Sequence, residues 1–442
     1  MKQTRLMSDI MNKEARDYSM YTIEDRAIPN LIDGFKPVQR LFLYSVLRNA
    51  RNNFSKVAAI GGVVSEYGYH HAETAAQDAG ALMANTWNNN FPIIQGRGNF
   101  GSRIVQEASA ARYIYCTIHD NFRKTFLDVD QSPKHWDPEH FPPRFYLPII
   151  PTVLLNGVSG IAVAYATDIL PHDPVSVTEC VRQYIKTGDC DEPKLKFPEF
   201  HGRIIKETDK KFMLEGTYEY DEKRKTKLII TEIPPKYDRT KYVAVLDALV
   251  DSNKIVSYTT DCRNGFRFEV TLKRDLPIDM NDHDAVIKLF KLNQSVSQNI
   301  VVIGPDRDQT HTDVRIYDTA KELIKDFVDY RLTHYPTRIA NKIAELEEKS
   351  RYASARIEFI NKVISGDIEP RGKTRKQTMT DIESYPNLKE FSEKLISMNI
   401  YHITSDEVKK LEKDLQVIEK ELKHWKKTTP KAEYLRDLEE IF

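Results

Sequence analysis

A glycine-rich stretch and, shortly after it, an arginine beside a tyrosine are the residues best suited to covalent chemistry in this sequence. The stretch runs from Gln95 to Ser102, with glycines at positions 96, 98 and 101, and the pair is Arg112-Tyr113. Glycine adopts backbone angles that other residues avoid, so such a loop can lie close to another backbone. A tyrosine oxygen becomes a competent nucleophile when a cation or metal stabilises its anion. The pair predicts that Tyr113 attacks a phosphate, and Tyr115 offers a competing hydroxyl.

Two phosphate-binding patterns lack their usual context. Residues 96–101 satisfy G-x-G-x-x-G, but a dinucleotide fold needs that pattern to open a helix inside a βαβ unit, and residues 102–109 show no apolar helical stripe. The segment from Gly366 to Thr374 is similar to a P-loop, but it contains Pro370 and one residue too many between its glycines. We therefore expect any ATP used by the protein to bind a partner chain.

The histidine pair His70-His71 leaves three interpretations open. The two rings could be metal ligands, satisfied structural side chains, or groups that contact a phosphate or transfer a proton near the nucleophile. No further Cys/His cluster supports metal binding, and no acidic cluster of the form Glu…Asp-x-Asp appears in a plausible context. The sequence therefore predicts no metal site on this chain.

Charge is distributed unevenly along the chain. The 442 residues are too many for one core and predict two to four domains. Lys+Arg and Asp+Glu both number 65, so net charge gives no hint of a polyanionic partner. Between Lys36 and Lys124, however, there are 10 basic residues against 5 acidic ones. This excess fits a local nucleic-acid footprint, although ordinary surface variation could produce it as well.

Cysteine usage and hydropathy predict a reduced, cytoplasmic protein. Cys116, Cys180, Cys190 and Cys262 form no C-x-x-C pair, which argues against a zinc site and a disulfide framework. The polar N-terminus does not resemble a signal peptide, and no apolar run approaches the roughly 18 residues that a membrane span needs.

Two helices are expected before the glycine-rich stretch. Residues 1–30 are interpreted as a polar helical arm with an apolar stripe that includes Met7 and Met11. A first helix from Val38 to Asn49 is predicted to keep Arg40 on its outer face, and a second, alanine-rich helix runs from about residue 72 to 87. With the apolar and glycine residues that follow, they suggest a helix-turn-helix and a β wing; the alternative is a tightly packed core helix.

The middle of the chain carries mixed signals. Residues 143–167 are apolar and interrupted by turn residues, which predicts short buried strands. From about residue 170 to 318 the pattern indicates a separate α+β domain, with strands at 212–214, 227–231 and 266–270 and a helix at 242–249.

The last third has two heptad seams. Apolar positions from Ile339 to Ile364 are spaced four and three residues apart, and those from Val408 to Trp425 repeat the spacing. Pro336 is expected to kink the entering helix, and Thr404 with Glu407 forms a capping-box pattern before the second seam. Two long antiparallel helices with a globular tip follow from this pattern. The tip, about residues 370–403, is expected to present an apolar patch for twofold dimerisation, made of Leu388, Phe391, Leu395, Ile396 and Met398.

The combination of motifs resembles the breakage-rejoining subunit of type IIA DNA topoisomerases, the family that includes gyrase A, its counterpart in topoisomerase IV and eukaryotic topoisomerase II. The resemblance covers about 140 residues in the family's order. It rests on Arg26-Ala27-Ile28-Pro29, Asp33-Gly34-Phe35-Lys36-Pro37-Val38-Gln39-Arg40, Tyr69-His70-His71-Ala72-Glu73, Gly98-Asn99-Phe100-Gly101-Ser102, Ala110-Ala111-Arg112-Tyr113 and Asn156-Gly157-Val158-Ser159-Gly160-Ile161-Ala162-Val163. The length and the lack of a C-terminal wrapping domain fit the bacteriophage branch, in a bacterial host cytoplasm.

The resemblance implies an α+β multidomain fold and a covalent mechanism. It implies an arm with a winged-helix DNA-cleavage domain in residues 1–168, a tower domain in 169–318, and a coiled coil with an exit-gate dimerisation tip in 319–442. Tyr113 matches the nucleophile that forms a 5′-phosphotyrosyl bond, and Arg112 would stabilise the charge on the phosphate. Arg26 matches a second catalytic arginine, and His71 matches the histidine near the reacting phosphate. Ala72 departs from the family's usual glycine.

The resemblance also implies a DNA-binding surface and missing partners. Ile161 matches the isoleucine that wedges between base pairs and bends the duplex. The other expected DNA contacts are Lys36, Arg40, His70, Glu73, Thr74, Arg97, Asn99 and Ser102. Mg²⁺ and ATP are expected on separate Toprim and ATPase subunits, so a homodimer of this chain would be catalytic but incompetent alone. The alternative is a non-enzymatic winged-helix DNA-binding dimer, which would need no Arg-Tyr pair.

Overall fold

The chain folds into two compact units. The computed structural model describes residues 7–220, 226–274, 279–280, 282–308 and 311–442. One unit contains the chain up to Asp329 together with Asp437–Phe442, and the other is Tyr330–Arg436. No helix in the described part of the chain is long and apolar enough to cross a membrane.

The predicted helical arm is confirmed from Met7 to Ala27 and changes winding along its length, while residues 1–6 lie outside the described residues. Helices α1 (Met7–Asp9) and α2 (Arg16–Thr22) alternate with the wider helical turns Ile10–Ala15 and Ile23–Ala27. The last turn buries Ile23 and Ala27 against Val301 and Ile303, while Arg26 between them stays exposed. The core contact therefore fixes the turn that carries Arg26.

Helices α3 (Pro37–Asn49), α4 (Val57–Gly62) and α5 (Glu73–Ala84) form the helical part around the arm. Pro37 lies in the first turn of α3, where a missing N–H costs nothing. A Cβ at Gly80 of α5 would overlap the ring of Phe42, so the small residue permits the close approach that the composition predicts. Two adjacent glycines often mark a turn, but Gly61 and Gly62 both belong to α4.

A small antiparallel sheet accompanies these helices, with one strand before α4 and two after α5. Its strands β1 (Ser55–Lys56), β2 (Ile94–Arg97) and β3 (Tyr115–Ile118) lie in the order β1-β3-β2. The register places Arg97 opposite Tyr115. Helix α6 (Asp120–Thr125) begins two residues after β3 ends, and the ring of its Phe122 stacks on the ring of Phe126 just beyond the helix. The glycine-rich stretch thus begins in β2 and continues into the loop before β3.

The prediction of short strands throughout residues 143–167 is only partly right. The first part contains no strand, and Thr152–Asn156 is a short helix, α7. A hairpin follows, made of β4 (Val158–Ile161) and β5 (Ala166–Ile169). Apolar side chains at consecutive positions suit a fully buried helix as well as a strand, so the pattern alone could not separate them.

Residues 174–317 contain one long helix and a two-sheet α+β body. Helix α8 (Pro174–Thr187) precedes the body, with the Asp173 side chain capping its N-terminus. The sheets have the orders β12-β7-β6 and β10-β11-β9-β8, and β13 pairs with β14. In chain order the elements are β6 (Arg203–Lys206), β7 (Lys211–Glu215), β8 (Thr217–Tyr220), β9 (Lys227–Glu232), α9 (Arg239–Asp251), β10 (Ile255–Thr260), β11 (Phe268–Leu272), α10 (His283–Leu289), β12 (Asn293–Ser297), β13 (Ile300–Ile303) and β14 (Val314–Tyr317). The predicted strands and helix of this region are confirmed within a few residues at each end.

The body has its own core. Helix α9 packs Tyr242 and Leu246 against Leu228, Ile230 and Phe268 of the second sheet. The buried hydroxyl of Tyr242 donates a 2.8 Å hydrogen bond to the carbonyl of Phe290, so its polar end is satisfied. This cluster gives the body a packed apolar core of its own.

The second unit consists of helices. Helix α11 (Ala320–Leu332) leads into it, and α12 (Tyr335–Ser365), α13 (Arg375–Glu383), α14 (Pro386–Lys389), α15 (Ser392–Ile396), α16 (Ser405–Trp425) and α17 (Pro430–Glu439) follow. Pro336 does not kink a helix interior. It lies in the first turn of α12, after α11 has ended, because a helix accepts proline there without losing a hydrogen bond.

The two predicted seams lie on the long helices α12 and α16, and several of their positions are buried. Leu346, Ala353 and Ile360 of α12 are buried, as are Val408 and Leu411 of α16. Ile360 packs with Val408 and Leu411, and Thr404 caps α16 by accepting a hydrogen bond from the Glu407 N–H. Ile364, the last position of the first seam, is 54% exposed and lies outside the packed stripe.

The predicted apolar patch of the tip is wrong for its main residues. Leu388, Phe391 and Leu395 are buried in a core of the tip itself, together with Ala355, Phe359, Ile368 and Ile382. The apolar residues of the tip are too few to form a core by themselves, and Ala355 and Phe359 of α12 supply further side chains that complete it. Ile396 and Met398 pack against it and are partly buried.

Candidate active site

Tyr113 lies on an exposed turn that is anchored on both sides. Its side chain is 65% exposed, and its N–H donates to the Ala110 carbonyl at 2.9 Å. The carbonyls of the flanking residues Ala111 and Ile114 accept hydrogen bonds from Ala58 and Val57 at 3.1 and 3.0 Å. The first turn of α4 therefore holds the backbone on each side of the tyrosine. Among the described residues nothing hydrogen-bonds to the hydroxyl of Tyr113, so it is open to a substrate.

Arg112 stacks on the tyrosine ring. Its guanidinium carbon lies 4.7 Å from the centre of the Tyr113 ring, and the side chain is exposed. A cation at this distance gains a modest attraction from the ring and can turn toward an anion that arrives beside it. The structure thus brings together the two residues that the sequence pairs.

The competing tyrosine is placed less well for attack. Tyr115 is half-buried in β3, and the guanidinium of Arg97 lies 5.1 Å from its ring and 4.6 Å from the ring of Phe54. Arg97 thereby covers Tyr115 while keeping its own exposed surface at the edge of the sheet. Exposure favours Tyr113 as the reacting hydroxyl.

The glycine-rich loop is shaped by left-handed backbone angles. Gly98 and Gly101 have φ of 118° and 80°, and a Cβ at Gly101 would lie 2.8 Å from the Gln106 carbonyl oxygen. Asn99 closes the turn, since its side-chain oxygen accepts from the Gly101 N–H at 3.0 Å. The predicted DNA-contacting side chains of Asn99 and Ser102 are exposed.

His71 joins the start of α5 to the N-terminal arm. The hydroxyl of Tyr21 lies 2.6 Å from His71 Nε2, and the ring of Tyr69 packs edge-on at 5.4 Å. Burial raises the pKa of Tyr69, and the positive charge of Arg26 partly offsets the rise. His70, Glu73 and Thr74 are exposed around this cluster. The sequence did not identify Tyr21, because a tyrosine in a polar helix has no motif of its own.

Ile161 projects from the tip of the β4–β5 hairpin. It is 86% exposed, so Ile161 is not one of the buried strand residues expected in residues 143–167. The tip is fixed by the Ala162 N–H, which donates to Tyr165 at 2.8 Å, and by Ala162 and Tyr165 packing against the cluster around Ala27. A Cβ at Gly160 would overlap the Ala27 carbonyl oxygen, so this glycine allows the hairpin to lie against the arm beside Arg26.

Lys36 supports the hairpin. Its ammonium donates to the Ser159 carbonyl at 2.6 Å, and partial burial lowers its pKa. The half-buried side chain is therefore already engaged with the protein, and a DNA contact by Lys36 would have to share this ammonium.

The prediction that Arg40 contacts DNA is wrong. The residue is 6% exposed, and its guanidinium binds both oxygens of the fully buried Asp33 at 2.7 and 2.9 Å. Asp33 also accepts from the Tyr146 N–H at 2.9 Å. The helical period places Arg40 on the apparent outer face of α3, but the turn before the helix folds back and buries it. Arg40 therefore stabilises the turn that carries Lys36.

No contact in the described residues joins Tyr113 directly to Arg26, His71 or Ile161. Tyr113, Arg112 and Arg97 belong to the sheet and its loop, whereas His71, Arg26, Lys36 and Ile161 are grouped by the arm and the hairpin. Within the described residues, no group of three or more His, Cys, Asp or Glu side chains is arranged to hold a metal ion.

Comparison with known proteins identifies the family. Residues 26–440 match the family of the gyrase A protein and its counterpart in DNA topoisomerase IV. The chain belongs to this family. It is a type II DNA topoisomerase subunit of the kind that cleaves and rejoins DNA.

Individual relatives agree with this assignment. The chain is 47% identical to the DNA topoisomerase medium subunit of Enterobacteria phage T4, and the alignment covers 99% of both chains. It is 26% identical to DNA topoisomerase 2 of Plasmodium falciparum over 98% of this chain, but it spans only 34% of that enzyme.

The fold agrees as well. A crystal structure of the Plasmodium falciparum topoisomerase II DNA-binding, cleavage and re-ligation domain superposes with a TM-score of 0.86 at 26% identity. The superposition covers 98% of this chain and 63% of that one. The mixed α+β architecture is therefore that of a topoisomerase II cleavage domain, and the phage relationship predicted from length is confirmed.

Proposed function

We propose that Tyr113 is the nucleophile of this topoisomerase subunit and forms a transient 5′-phosphotyrosyl bond with DNA. The observation that carries the proposal is the exposed Tyr113–Arg112 pair on a turn held on both sides by α4. A rigidly held, accessible nucleophile next to a cation is what attack on a phosphodiester needs.

The reaction conserves the energy of the broken bond. The oxygen of Tyr113 forms a bond to phosphorus, and the bond from phosphorus to the 3′ oxygen breaks. The proton lost by the tyrosine ends on the 3′ hydroxyl. One phosphodiester is replaced by another, so the reverse attack by the 3′ hydroxyl reseals the strand without ATP.

Arg112, Arg26 and His71 are assigned to the transition state. Arg112 turns from the ring of Tyr113 toward the phosphate oxygens, and Arg26 stabilises the same charge from the arm. His71 contacts the reacting phosphate from the start of α5. DNA bridges the two groups of residues, which explains why they make no direct contact in the DNA-free chain.

We place the duplex over the exposed side chains that surround these residues. His70, Glu73, Thr74, Arg97, Asn99 and Ser102 are accessible, which supports their assignment as DNA contacts. The exposure of Ile161 on a fixed hairpin supports its role as a wedge that unstacks a base step and bends the duplex.

Within this function, residues 1–168 form the arm and a winged-helix cleavage domain, residues 169–318 a tower domain, and residues 319–442 a coiled coil with an exit-gate tip. The three-stranded sheet formed by β1, β2 and β3 beside α3, α4 and α5 supports the winged helix, and the packing of Ile360 with Val408 and Leu411 supports the coiled coil. Both remain assignments of this proposal.

Metal and ATP belong to partner subunits in this proposal. Mg²⁺ would supply stabilisation of the attacking and leaving oxygens, and a Toprim domain on a partner chain would hold it. ATP binding is assigned to an ATPase subunit. Four unpaired cysteines support a reducing location, which we take to be the cytoplasm of a bacterial host.

A double-strand break requires two nucleophiles, so we propose a homodimer. Tyr401 is 83% exposed in the tip and is a candidate for the contact between the two subunits, in place of the buried residues that the sequence suggested.

Sedimentation equilibrium tests the dimer. Tyr401→Asp should weaken the dimer, whereas Val417→Asp, on the outer face of α16, should leave it unchanged. A wild-type monomer at all concentrations would contradict the dimer.

Covalent trapping tests the function as a whole. The chain, combined with metal- and ATP-binding partner subunits, is mixed with end-labelled duplex DNA, and the reaction is stopped with denaturant. We expect a DNA–peptide adduct that maps to Tyr113. An adduct on Tyr115 would overturn the assignment, and DNA binding without any adduct would favour a non-enzymatic DNA-binding dimer.

A further inference from the structure

Arg103 is a buried cation in the loop between the glycine-rich stretch and Tyr113. It is 5% exposed, and its guanidinium donates to the carbonyls of Ile233 and Pro234 at 2.8 and 2.9 Å and to the carbonyl of Tyr237. All three carbonyls belong to the segment that joins β9 to α9 of the α+β body. The cation also lies 5.0 Å from the centre of the Phe266 ring.

These contacts do not form an ordinary buried salt bridge. The nearest carboxylate, Glu232, is 4.0 Å from Arg103 Nη2, and its oxygens accept from the N–H groups of His201 and Ile233 at 3.1 and 2.9 Å. Burial lowers the pKa of Arg103, and its Nε has no hydrogen-bond partner in the described residues. An apolar side chain would fill the same space without the cost of burying a charge.

The guanidinium instead fixes the orientation of the loop relative to the body. Its planar fork reaches several acceptors at fixed angles, which a lysine cannot do. Neighbouring residues of the loop bind the same part of the body. The Ile104 carbonyl accepts from the Arg239 N–H at 2.9 Å. Nε2 of Gln106 lies 3.5 Å from the Pro235 carbonyl oxygen, and Oε1 of Gln106 lies 3.3 Å from the Lys241 ammonium. Residues 103–106 are thus attached to the α+β body.

The far end of the same loop is attached elsewhere. The carbonyls of Ala111 and Ile114, on either side of the nucleophile, accept hydrogen bonds from the start of α4. The loop therefore spans from the α+β body to the helical part around the arm. Its shape, and with it the position of the Tyr113 hydroxyl, depends on how these two parts are placed.

We propose that Arg103 is a positioning residue that couples the α+β body to the nucleophile of the cleavage reaction. It does not touch DNA or the reacting atoms. It holds the start of the loop on the body, so that a duplex seated against the body finds Tyr113 in line with its phosphate. This inference rests on the assignment of Tyr113 as the nucleophile.

Single-turnover cleavage by the full chain with its partner subunits tests the inference. DNA is saturating, and the rate constant, the amplitude and the rate of resealing are measured with DNA affinity. For Arg103→Ala we expect cleavage and resealing to slow by about 10- to 100-fold together, because a displaced nucleophile raises the barrier in both directions. The amplitude and the affinity should stay near those of the wild type.

A purely structural role predicts a different result. Partial unfolding would reduce the amplitude, which counts active molecules, and leave the rate constant unchanged. Arg263→Ala is the matched control, because Arg263 and Arg103 line one cleft but Arg263 is exposed and pairs with Asp261. The loss of Arg263 should change neither the rate constant nor the amplitude. An unchanged rate constant for Arg103→Ala overturns the inference.

Milder variants cover the case in which Arg103→Ala does not fold. Arg103→Lys keeps the charge but cannot bind the three carbonyls at once, and Gln106→Ala removes a second attachment of the loop. Both should lower the rate constant, Arg103→Lys more strongly, and normal rate constants in both would contradict the coupling. A wild-type adduct at Tyr113 in the same experiment separates a failure of this inference from a failure of the proposed function.

Discussion

The loop that carries Tyr113 and the helical unit Tyr330–Arg436 are stabilised in opposite ways. The loop has little regular structure, and hydrogen bonds to residues distant in sequence hold it, such as those from Arg103 to residues 233–237. The helical unit depends on apolar contacts that repeat along α12 and α16 and on a separate core at the tip. Polar contacts with fixed directions place reacting atoms, whereas apolar burial supplies stability without fixing an atom to a fraction of an ångström.

This difference predicts that the two regions fail differently. Substitutions in the loop should lower the rate constant of cleavage and leave the fold intact. Changes in the helical unit should lower stability and leave the rate constant of cleavage unchanged in molecules that remain folded.

The largest effect is expected from Tyr113→Phe. The variant lacks the nucleophilic oxygen, so no covalent adduct should form, while an exposed side chain should change the free energy of unfolding by only about 0.5 kcal/mol or less. DNA affinity should be nearly normal. Tyr115→Phe is the control and should still form the adduct; residual adduct in Tyr113→Phe would show that another residue attacks the phosphate.

Arg112→Ala and Arg26→Ala should have the next largest effect on the chemical step. Loss of one preorganised charge typically costs about 3 kcal/mol of transition-state stabilisation, or a rate roughly 100-fold lower. Affinity should fall much less, because each arginine supplies one of many phosphate contacts. Single-turnover cleavage and resealing measure this, with exposed Arg48→Ala on α3 as control. If only affinity falls, the two arginines merely position DNA.

Leu388→Ala tests the other side of the comparison. Leu388 is fully buried in the tip core, and such a truncation costs about 2–5 kcal/mol. Chemical denaturation should show a less stable helical unit, and the rate constant of cleavage should stay normal. Val417→Ala, 65% exposed on α16, is the control. A normal stability with a lower cleavage rate would contradict the division between the two regions.

Elements with regular periods are predicted well from the sequence. The long helices α12 and α16 follow from the apolar spacing, and Ile360 of one helix packs with Val408 and Leu411 of the other. The failures lie where distant segments meet: Leu388, Phe391 and Leu395 are buried by residues of α12, and Arg40 is buried by Asp33 in the turn before its helix. Neither burial has a local signal.

The candidate site shows the same limit. Tyr113, Arg112 and Ile161, which the motifs single out, are exposed, as side chains that must reach a partner need to be. The supporting residues Arg103 and Tyr21 were not identified from the sequence. Their roles depend on acceptors and rings contributed by segments more than 45 residues away, as the 50-residue separation of Tyr21 and His71 shows.

The smallest effect is expected from Ile161→Ala. This variant tests whether one apolar side chain, placed at a fixed position, bends the duplex. The side chain is 86% exposed, so its loss should hardly change stability, but a wedge contributes only when DNA is bound. Energy transfer between dyes at the ends of a duplex should report a smaller bend for the variant. Affinity should weaken by about tenfold or less, because the cost of unstacking disappears together with the contacts of the wedge.

Val163→Ala is the matched control, because Val163 is 45% exposed at the same hairpin tip. If Ile161 is the wedge, the bend should depend on Ile161 alone. Equal losses for both variants would mean that the tip only packs against the duplex, and an unchanged bend in Ile161→Ala would refute the wedge. With either result the hairpin would act as the helical unit does, through the burial of apolar surface and without dependence on the position of a single atom.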